Sequence, residues 1–131
     1  MSLIKNRNRV KQVIDFTGVQ NGNMHPSDID AVLEFDNEIL ILIEVKYQYS
    51  KIPIGQRLLL ERLNDSWHTE KAIVLKVEHD FKNDNLNIPL EKCKVTAIYF
   101  NKEWTYYQKG KDFIEYINTI GKKWNCKKCK F

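Results

Sequence analysis

The sequence lacks long apolar segments and has few of the residues that cross-link or divide a chain. Its longest aliphatic run covers residues 39–43, whereas a membrane-spanning helix needs about 20 apolar residues. Three cysteines cannot form a complete disulfide framework. Three prolines and five glycines in 131 residues leave no linker-like segment. We therefore expect one domain over residues 1–131, cytoplasmic and reduced, with no secretory signal or membrane segment.

Charge is nearly balanced, and the small excess collects at the two ends. The chain has 21 Lys and Arg against 17 Asp and Glu, a net charge of +4. Basic residues crowd positions 5–11 and 122–130, where they could attract a polyanion by releasing its counterions or could simply be solvated. The composition permits a nucleic-acid partner without requiring one.

Hydrophobic periodicity predicts a mixed α/β fold. Helical spacing indicates helices over residues 3–14, from Pro53 through Trp67, and over 112–120 with Gly121 as the stop. Apolar stretches indicate strands over residues 16–20, 28–35, 38–47, 72–77, 95–100 and 104–108. Asn21-Gly22 indicates a tight turn, and residues 101–103 indicate a hairpin loop. We expect a mixed sheet flanked by helices, with a hairpin and a helix at the C-terminal end.

Two charged residues, Glu44 and Lys46, interrupt the most apolar strand of the chain. Charged groups in a buried strand cost several kcal/mol each unless they are paired or bound to a metal. Their separation of two residues places both side chains on one face of the strand. The pattern therefore indicates a functional or structural charge cluster on that face.

Strand periodicity brings Asp30 to the same cluster. An antiparallel pairing that puts Asp30 opposite Glu44 also puts Asp28 opposite Lys46, and it requires an odd number of loop residues centred on Asn37. The segment 36–38 is a plausible three-residue loop of the bulged kind. An even loop would place Asp30 and Glu44 on opposite faces of the sheet. The aliphatic pattern agrees with the odd loop.

Two carboxylates and an ammonium on one face suit the hydrolysis of a phosphodiester. Carboxylate oxygens are the ligands that Mg²⁺ prefers, and Mg²⁺ also bridges to phosphate oxygens. A lysine beside the ion can orient the attacking water, help to deprotonate it, or stabilise the developing negative charge.

This segment resembles the PD-(D/E)XK, or restriction-endonuclease-like, nuclease superfamily. Asp30 matches the acid that begins one strand, and Glu44-Val45-Lys46 matches the acid-x-lysine triplet of the next strand. Asp28-Ile29-Asp30 also resembles the acid-x-Asp form of some branches. Gln56 looks like the glutamine that several branches place near the metal site. By element order the resemblance covers about residues 3–78, and residues 79–131 would be peripheral strands, a helix and a basic tail.

The resemblance implies a restriction-endonuclease-like fold and cleavage of DNA. It implies that Asp30, Glu44 and the carbonyl of Val45 bind Mg²⁺ or Mn²⁺, and that Lys46 acts on the attacking water. Many small members of the family pair up, so a homodimer is expected by analogy alone. The chain departs from the family in two places. Residues 3–14 contain no acid, so a third acidic ligand would be Asp28 or would be missing, and the usual proline is displaced to position 26.

Other residues give weaker signals. Cys126 and Cys129 have the spacing of half a zinc site. A complete site would also need Cys93 and a histidine, either His79 or His68. Two free thiols are the simpler interpretation. His25 lies in the loop before Asp30 and could contact a phosphate. Arg57, Arg62 and Lys51 could contact nucleic acid, although Arg57 could equally form a helix ion pair with Glu61.

Two alternatives to a nuclease remain open at this point. One is a non-catalytic nucleic-acid-binding module with basic ends and a zinc-held tail. The other is an inactive relative of the fold, in which Asp30, Glu44 and Lys46 form a structural ion cluster. A nuclease should bind Mn²⁺ through Asp30 and Glu44, a zinc module should bind Zn²⁺, and the structural protein should bind neither.

Overall fold

A computed structural model describes residues 14–82 and 87–131 of the chain. These residues form five strands, two α-helices and one 3-10 turn, in an α/β arrangement. In chain order they are β1 (Ala31–Phe35), β2 (Ile39–Tyr47), α1 (Ile54–Asp65), β3 (Ala72–His79), the 3-10 turn Leu90–Lys92, β4 (Lys94–Phe100), β5 (Glu103–Asp112) and α2 (Phe113–Lys123). The helix predicted over residues 3–14 lies, except for Ile14, outside the described residues.

The five strands form one mixed sheet in the order β1-β2-β3-β4-β5. Only β2 and β3 run parallel, and α1 connects them as the crossover that a parallel pair requires. The other neighbouring pairs are antiparallel. Strand β2 lies inside the sheet, and its aliphatic side chains are buried on both faces, as its solid aliphatic sequence predicts.

The hairpin of β1 and β2 has the predicted register. Ala31 pairs with Ile43 and Phe35 pairs with Ile39, which leaves the three-residue loop 36–38. Asp36 and Asn37 have φ of 52° and 60°, in the left-handed region that Asp and Asn tolerate best among non-glycine residues. The first strand begins at Ala31, later than the predicted residue 28, so Asp28 and Asp30 precede it.

Two apolar clusters cover the two faces of the sheet. On β2, Ile41 and Ile43 belong to one cluster and Leu42 to the other, because successive strand residues point to opposite faces. Helix α2 packs into the first cluster through Phe113, Ile117 and Ile120. Helix α1 packs into the second through Leu60, together with Val74 and Tyr99. The face under α1 is also the face that carries Glu44.

Several local predictions need correction. No strand forms over residues 16–20, where the Val19 N–H instead donates to the Phe16 carbonyl in a turn. Pro53 caps α1 from outside the helix, because its carbonyl accepts from the Arg57 N–H. Trp67 follows the helix and donates to the Glu38 carbonyl.

The tight turn at Asn21-Gly22 is confirmed, with paired hydrogen bonds between Asn21 and Met24.

The second hairpin is tighter than predicted. Glu103 already belongs to β5, which leaves a two-residue loop of Asn101 and Lys102. Both loop residues have positive φ, 54° and 63°, as a type I′ hairpin turn requires. The strand then continues to Asp112, whose side chain caps α2 by accepting from the Glu115 N–H. The predicted helix began at residue 112, one residue before the observed helix.

The C-terminal tail is docked against the domain, and Gly121 does not end a helix. Helix α2 continues to Lys123, and Gly121 is buried within it. The Cys129 carbonyl lies so close to Gly121 that a Cβ there would collide with it. Phe131 exchanges two hydrogen bonds with the Asn118 side chain. Lys128 pairs with Asp36 of the first hairpin at 2.6 Å. The tail therefore covers one end of α2. None of the helices in the described residues is long and apolar enough to cross a membrane.

Candidate active site

The candidate site lies on the α1 side of the sheet, toward the end of β2. Glu44 and Lys46 point to the same face because they are two residues apart on the strand. Asp30 comes directly before β1 and therefore lies beside Glu44 when the observed register is extended by one residue. Gln56 lies in the first turn of α1, which begins at Ile54. The structure brings these four predicted residues together.

Glu44 is buried and only half satisfied. Its exposed fraction is 1%. One carboxylate oxygen, Oε1, lies 3.2 Å from the Lys46 ammonium. The other oxygen, Oε2, is buried and has no hydrogen-bond partner among the described residues. A buried charged oxygen without a partner is costly, so a bound proton or a cation would stabilise this atom.

The ionisation of Glu44 reflects the same deficit of positive charge. Burial, and then the neighbouring Asp30 carboxylate, raise the pKa of Glu44 from 4.5 to about 7, while Lys46 opposes the rise. Desolvation and a like charge both disfavour the ionised form. A divalent cation shared by the two carboxylates would reverse both effects.

Asp30 is fixed by the backbone of the next strand. Its Oδ2 accepts a 2.7 Å hydrogen bond from the Val45 N–H. Within a strand the N–H and C=O of one residue point toward the same neighbour. The Val45 carbonyl therefore points toward the Asp30 side, beyond the end of β1. Asp30, Glu44 and the Val45 carbonyl thus face one region beyond the start of β1.

Lys46 lies between a carboxylate and an amide. Its ammonium contacts Glu44 Oε1 and also donates to Gln56 Oε1 at 3.3 Å. The side chain retains 22% exposure, so it faces the opening of the site. An ammonium has three N–H donors, and two are used here, which leaves one for a water or a phosphate oxygen.

The residues fit a divalent cation with a small protein ligand set. Within residues 14–82 and 87–131, no three His, Cys, Asp or Glu side chains lie close enough to hold one metal ion. A cation held by Asp30, Glu44 and the Val45 carbonyl would have two carboxylates and one main-chain carbonyl as its protein ligands. Mg²⁺ commonly keeps several waters and binds through one or two carboxylates, and the unpartnered Oε2 of Glu44 is an oxygen free to bind it.

Other predicted site residues are not joined to this cluster. In the described part of the chain, no hydrogen bond or ion pair connects it to Asp28, Lys51 or Arg62, all of which are exposed. The His25 ring nitrogen Nδ1 lies 2.9 Å from the neighbouring Pro26 carbonyl oxygen. Arg57 forms the helix ion pair with Glu61 at 3.4 Å. Because no three His, Cys, Asp or Glu side chains cluster in the described residues, Asp28 does not join Asp30 and Glu44 as a third acidic ligand.

The cysteines do not build a zinc site in the described residues. Cys129 is buried, and its thiol contacts the Ile117 carbonyl, while the Cys93 thiol contacts the Pro89 carbonyl. Burial raises the pKa of both thiols, which disfavours the thiolate that zinc requires. His79 accepts from the Phe81 N–H through Nδ1 and is not paired with a cysteine.

Two charged residues that the sequence did not single out complete this face. Lys76 and Glu78 of β3 lie directly across from Glu44 and Lys46. The predicted strand ended at residue 77, so Glu78 fell outside it. The usable signal was the Lys-x-Glu spacing on a buried strand, which mirrors the Glu-x-Lys spacing of β2.

Comparison of the chain with protein-family models, with curated proteins and with solved structures gives no significant match. The family resemblance consequently rests on the motif residues and their arrangement, and any statement of function rests on the chemistry of the site.

Proposed function

We propose that the chain is a divalent-metal-dependent nuclease of the restriction-endonuclease-like type that hydrolyses phosphodiester bonds in DNA. The observation that carries this proposal is the state of Glu44, a buried carboxylate with one oxygen unpartnered and a lysine on the other. A purely structural ion cluster would be expected to satisfy both oxygens. Asp30 and the Val45 carbonyl converge on the same region and support a shared cation.

In this proposal Asp30, Glu44 and the Val45 carbonyl hold Mg²⁺ or Mn²⁺. When bound, the ion supplies Lewis-acid chemistry, since it makes water more acidic and offsets charge on the phosphate. Glu44 must be ionised to bind it, and its pKa of about 7 in the metal-free chain means that a cation and a proton compete for this carboxylate.

Lys46 acts on the attacking water and on the phosphate. Its remaining N–H donor orients a water or binds a phosphate oxygen, and its charge stabilises the negative charge that develops during attack. Gln56 positions Lys46 by accepting one of its hydrogen bonds. That bond, together with the contact to Glu44, restricts the rotation of the long Lys46 side chain. Such preorganisation lowers the entropic cost of reaching the transition state.

The test is a cleavage assay on circular and linear DNA, single- and double-stranded, with Mg²⁺, Mn²⁺ or EDTA. We expect cleavage with either ion and none with EDTA. Lys46→Ala should abolish cleavage, whereas the matched control Lys122→Ala, on exposed α2 surface, should cleave as the wild type does. Cleavage that persists in EDTA, or that survives Lys46→Ala, would refute the proposed mechanism.

The same assay separates the nuclease from an inactive relative of the fold. Such a relative would show no cleavage of any substrate with any ion, and its Asp30–Glu44 pair would not bind Mn²⁺. Binding of Mn²⁺ without cleavage of DNA would instead support the metal site and refute the proposal that DNA is the substrate.

A further inference from the structure

Strand β3 places a second pair of opposite charges beside the candidate site. Lys76 lies directly across from Glu44, and Glu78 directly across from Lys46. All four side chains project from the same face, because paired residues of neighbouring strands share a face and each pair is separated by two. The face therefore carries alternating charges, with a positive residue next to each negative one.

The Lys76 ammonium pairs with one carboxylate, although a second carboxylate lies directly across from Lys76 on β2. Directly paired residues on neighbouring strands lie about 5 Å apart, so the long Lys76 side chain could extend to Glu44. It instead contacts Glu78 Oε2 at 2.8 Å. Among the ion pairs of the described residues, Glu44 has Lys46 alone. The unpartnered oxygen of Glu44 is thus left open although a second lysine lies across from it.

Glu78 is fully satisfied, in contrast to Glu44. Its Oε2 accepts from Lys76 and from the Thr96 hydroxyl, each at 2.8 Å. Its Oε1 accepts from the Tyr49 N–H at 2.9 Å. Burial alone would raise the pKa of Glu78, but hydrogen bonds from Lys76, Tyr49 and Thr96 outweigh burial and lower it. Glu78 is therefore a firmly held anion, and both of its oxygens already have partners.

We propose that Glu78 is a positioning residue of the site, because its carboxylate holds the Lys76 ammonium away from Glu44 and so keeps Glu44 available to a divalent cation. Without Glu78, Lys76 can turn to Glu44, which lies directly across from it on β2 and whose Oε2 has no partner among the described residues, and it then competes with the cation there. The role is indirect, since Glu78 itself contacts neither the ion nor the substrate. The inference depends on the metal site of the proposed function, but not on DNA being the substrate.

The variant Glu78→Gln tests this role with little disturbance of the fold. A glutamine oxygen can still accept from the Tyr49 N–H, so the loop before α1 keeps its contact. The negative charge is lost, together with the oxygen that accepts from Lys76 and Thr96. The readout is Mn²⁺ binding to the full chain, measured as the loss of the free-ion signal in electron paramagnetic resonance. We expect the dissociation constant to rise about tenfold or more, since close charges in a partly buried site interact strongly.

Removing the competing lysine should reverse the effect. In the double variant Glu78→Gln/Lys76→Met, the dissociation constant for Mn²⁺ should return to within about threefold of the wild-type value, because no ammonium remains to occupy Glu44. A general structural role for Glu78 would not be rescued by a second substitution beside it. The control Glu103→Gln makes the same charge change at an exposed hairpin position and should leave Mn²⁺ binding unchanged.

The outcomes separate this inference from the proposed function. If the wild-type chain binds no Mn²⁺, the metal site fails, and the role of Glu78 fails with it. If the wild type binds Mn²⁺ but Glu78→Gln binds it equally well, only the positioning role is overturned. Weakened binding in Glu78→Gln that Lys76→Met does not restore also overturns it. A circular-dichroism melt of each variant shows whether the chain is folded, and the double variant provides the comparison if Glu78→Gln alone is unstable.

Discussion

Glu44→Gln should stabilise the metal-free protein at neutral and alkaline pH. The substitution keeps the size of the side chain and replaces a buried carboxylate by a neutral amide, which resembles the protonated acid. Glu44 is 1% exposed, and its Oε2 has no hydrogen-bond partner among the described residues. An ionised Glu44 is therefore a cost to the fold that the amide does not carry.

The size and sign of the effect follow from the pKa. A rise from 4.5 to about 7, at ~1.4 kcal/mol for each tenfold change in the ionisation equilibrium, corresponds to about 3 kcal/mol. The folded state holds the proton more tightly than the unfolded state. The stability that Glu44 contributes is thus fully present below pH 4.5, falls as pH rises toward 7, and is lost above it. The stability difference between Glu44→Gln and wild type should grow over this window to about 3 kcal/mol.

Urea unfolding between pH 4 and 8.5 in EDTA measures this difference. The control Glu103→Gln should show a difference that does not change with pH. Addition of Mg²⁺ at pH 8 should stabilise the wild type and not Glu44→Gln. The difference in unfolding free energy between the two proteins should therefore become smaller. The reasoning is refuted if Glu44→Gln is less stable than wild type at pH 8 in EDTA, because Glu44 would then be a structural counterion of Lys46.

Three further substitutions test the site and its surroundings. Lys46→Ala should retain Mn²⁺ binding and change the melting temperature little, whereas a loss of about 3–5 kcal/mol in EDTA that Mg²⁺ does not restore would identify a structural pair. Gln56→Ala should lower the rate of DNA cleavage without lowering the melting temperature, and an equal fall in both would make Gln56 a packing residue. Gly121→Ala should cost about 1–3 kcal/mol in urea unfolding because its methyl group meets the Cys129 carbonyl. Its control, Gly55→Ala in α1, has open space around the new methyl group and should stabilise by up to about 1 kcal/mol.

The register of the first hairpin was predictable because two independent constraints agree. A one-residue slip would turn the apolar side chains of β1 (Ala31, Leu33 and Phe35) away from the cluster that contains Ile41 and Ile43, so burial alone specifies the pairing. The Asp-Asn pair in the loop tolerates the positive φ that a three-residue connection needs. Once the register is known, strand periodicity brings Asp30 to Glu44 without further information.

Gly121 shows where sequence patterns give the wrong answer. A glycine near the end of a helical pattern usually marks the end of the helix, but here it allows the close approach of Cys129, which lies eight residues later. Both uses need the absence of a side chain, so the residue type cannot distinguish them. The docking of the tail through Asn118 and Asp36 could not be predicted either, because a lysine-rich segment is equally typical of a solvated chain end.

The partner of Lys76 could not be predicted either, although both candidate acids were visible in the sequence. Parallel strands joined by a helix have no loop that fixes their register, so the sequence does not say that Lys76 faces Glu44. Even with the register known, Glu44 and Glu78 are both within reach of its flexible side chain. The choice depends on the Thr96 hydroxyl and the Tyr49 N–H, which already converge on Glu78 and make it the more stable anion.

The contrast between these two neighbouring carboxylates is the strongest argument that the site is functional. Both lie on the same sheet face and both are largely removed from water, yet Glu78 has partners on both oxygens, while Glu44 lacks one. A fold can tolerate one such deficit, since a cost of about 3 kcal/mol is smaller than the typical stability of 5–15 kcal/mol for a domain. The metal-free chain should therefore be folded at neutral pH with its site preformed. Mn²⁺ should bind to that folded chain and should not drive its folding.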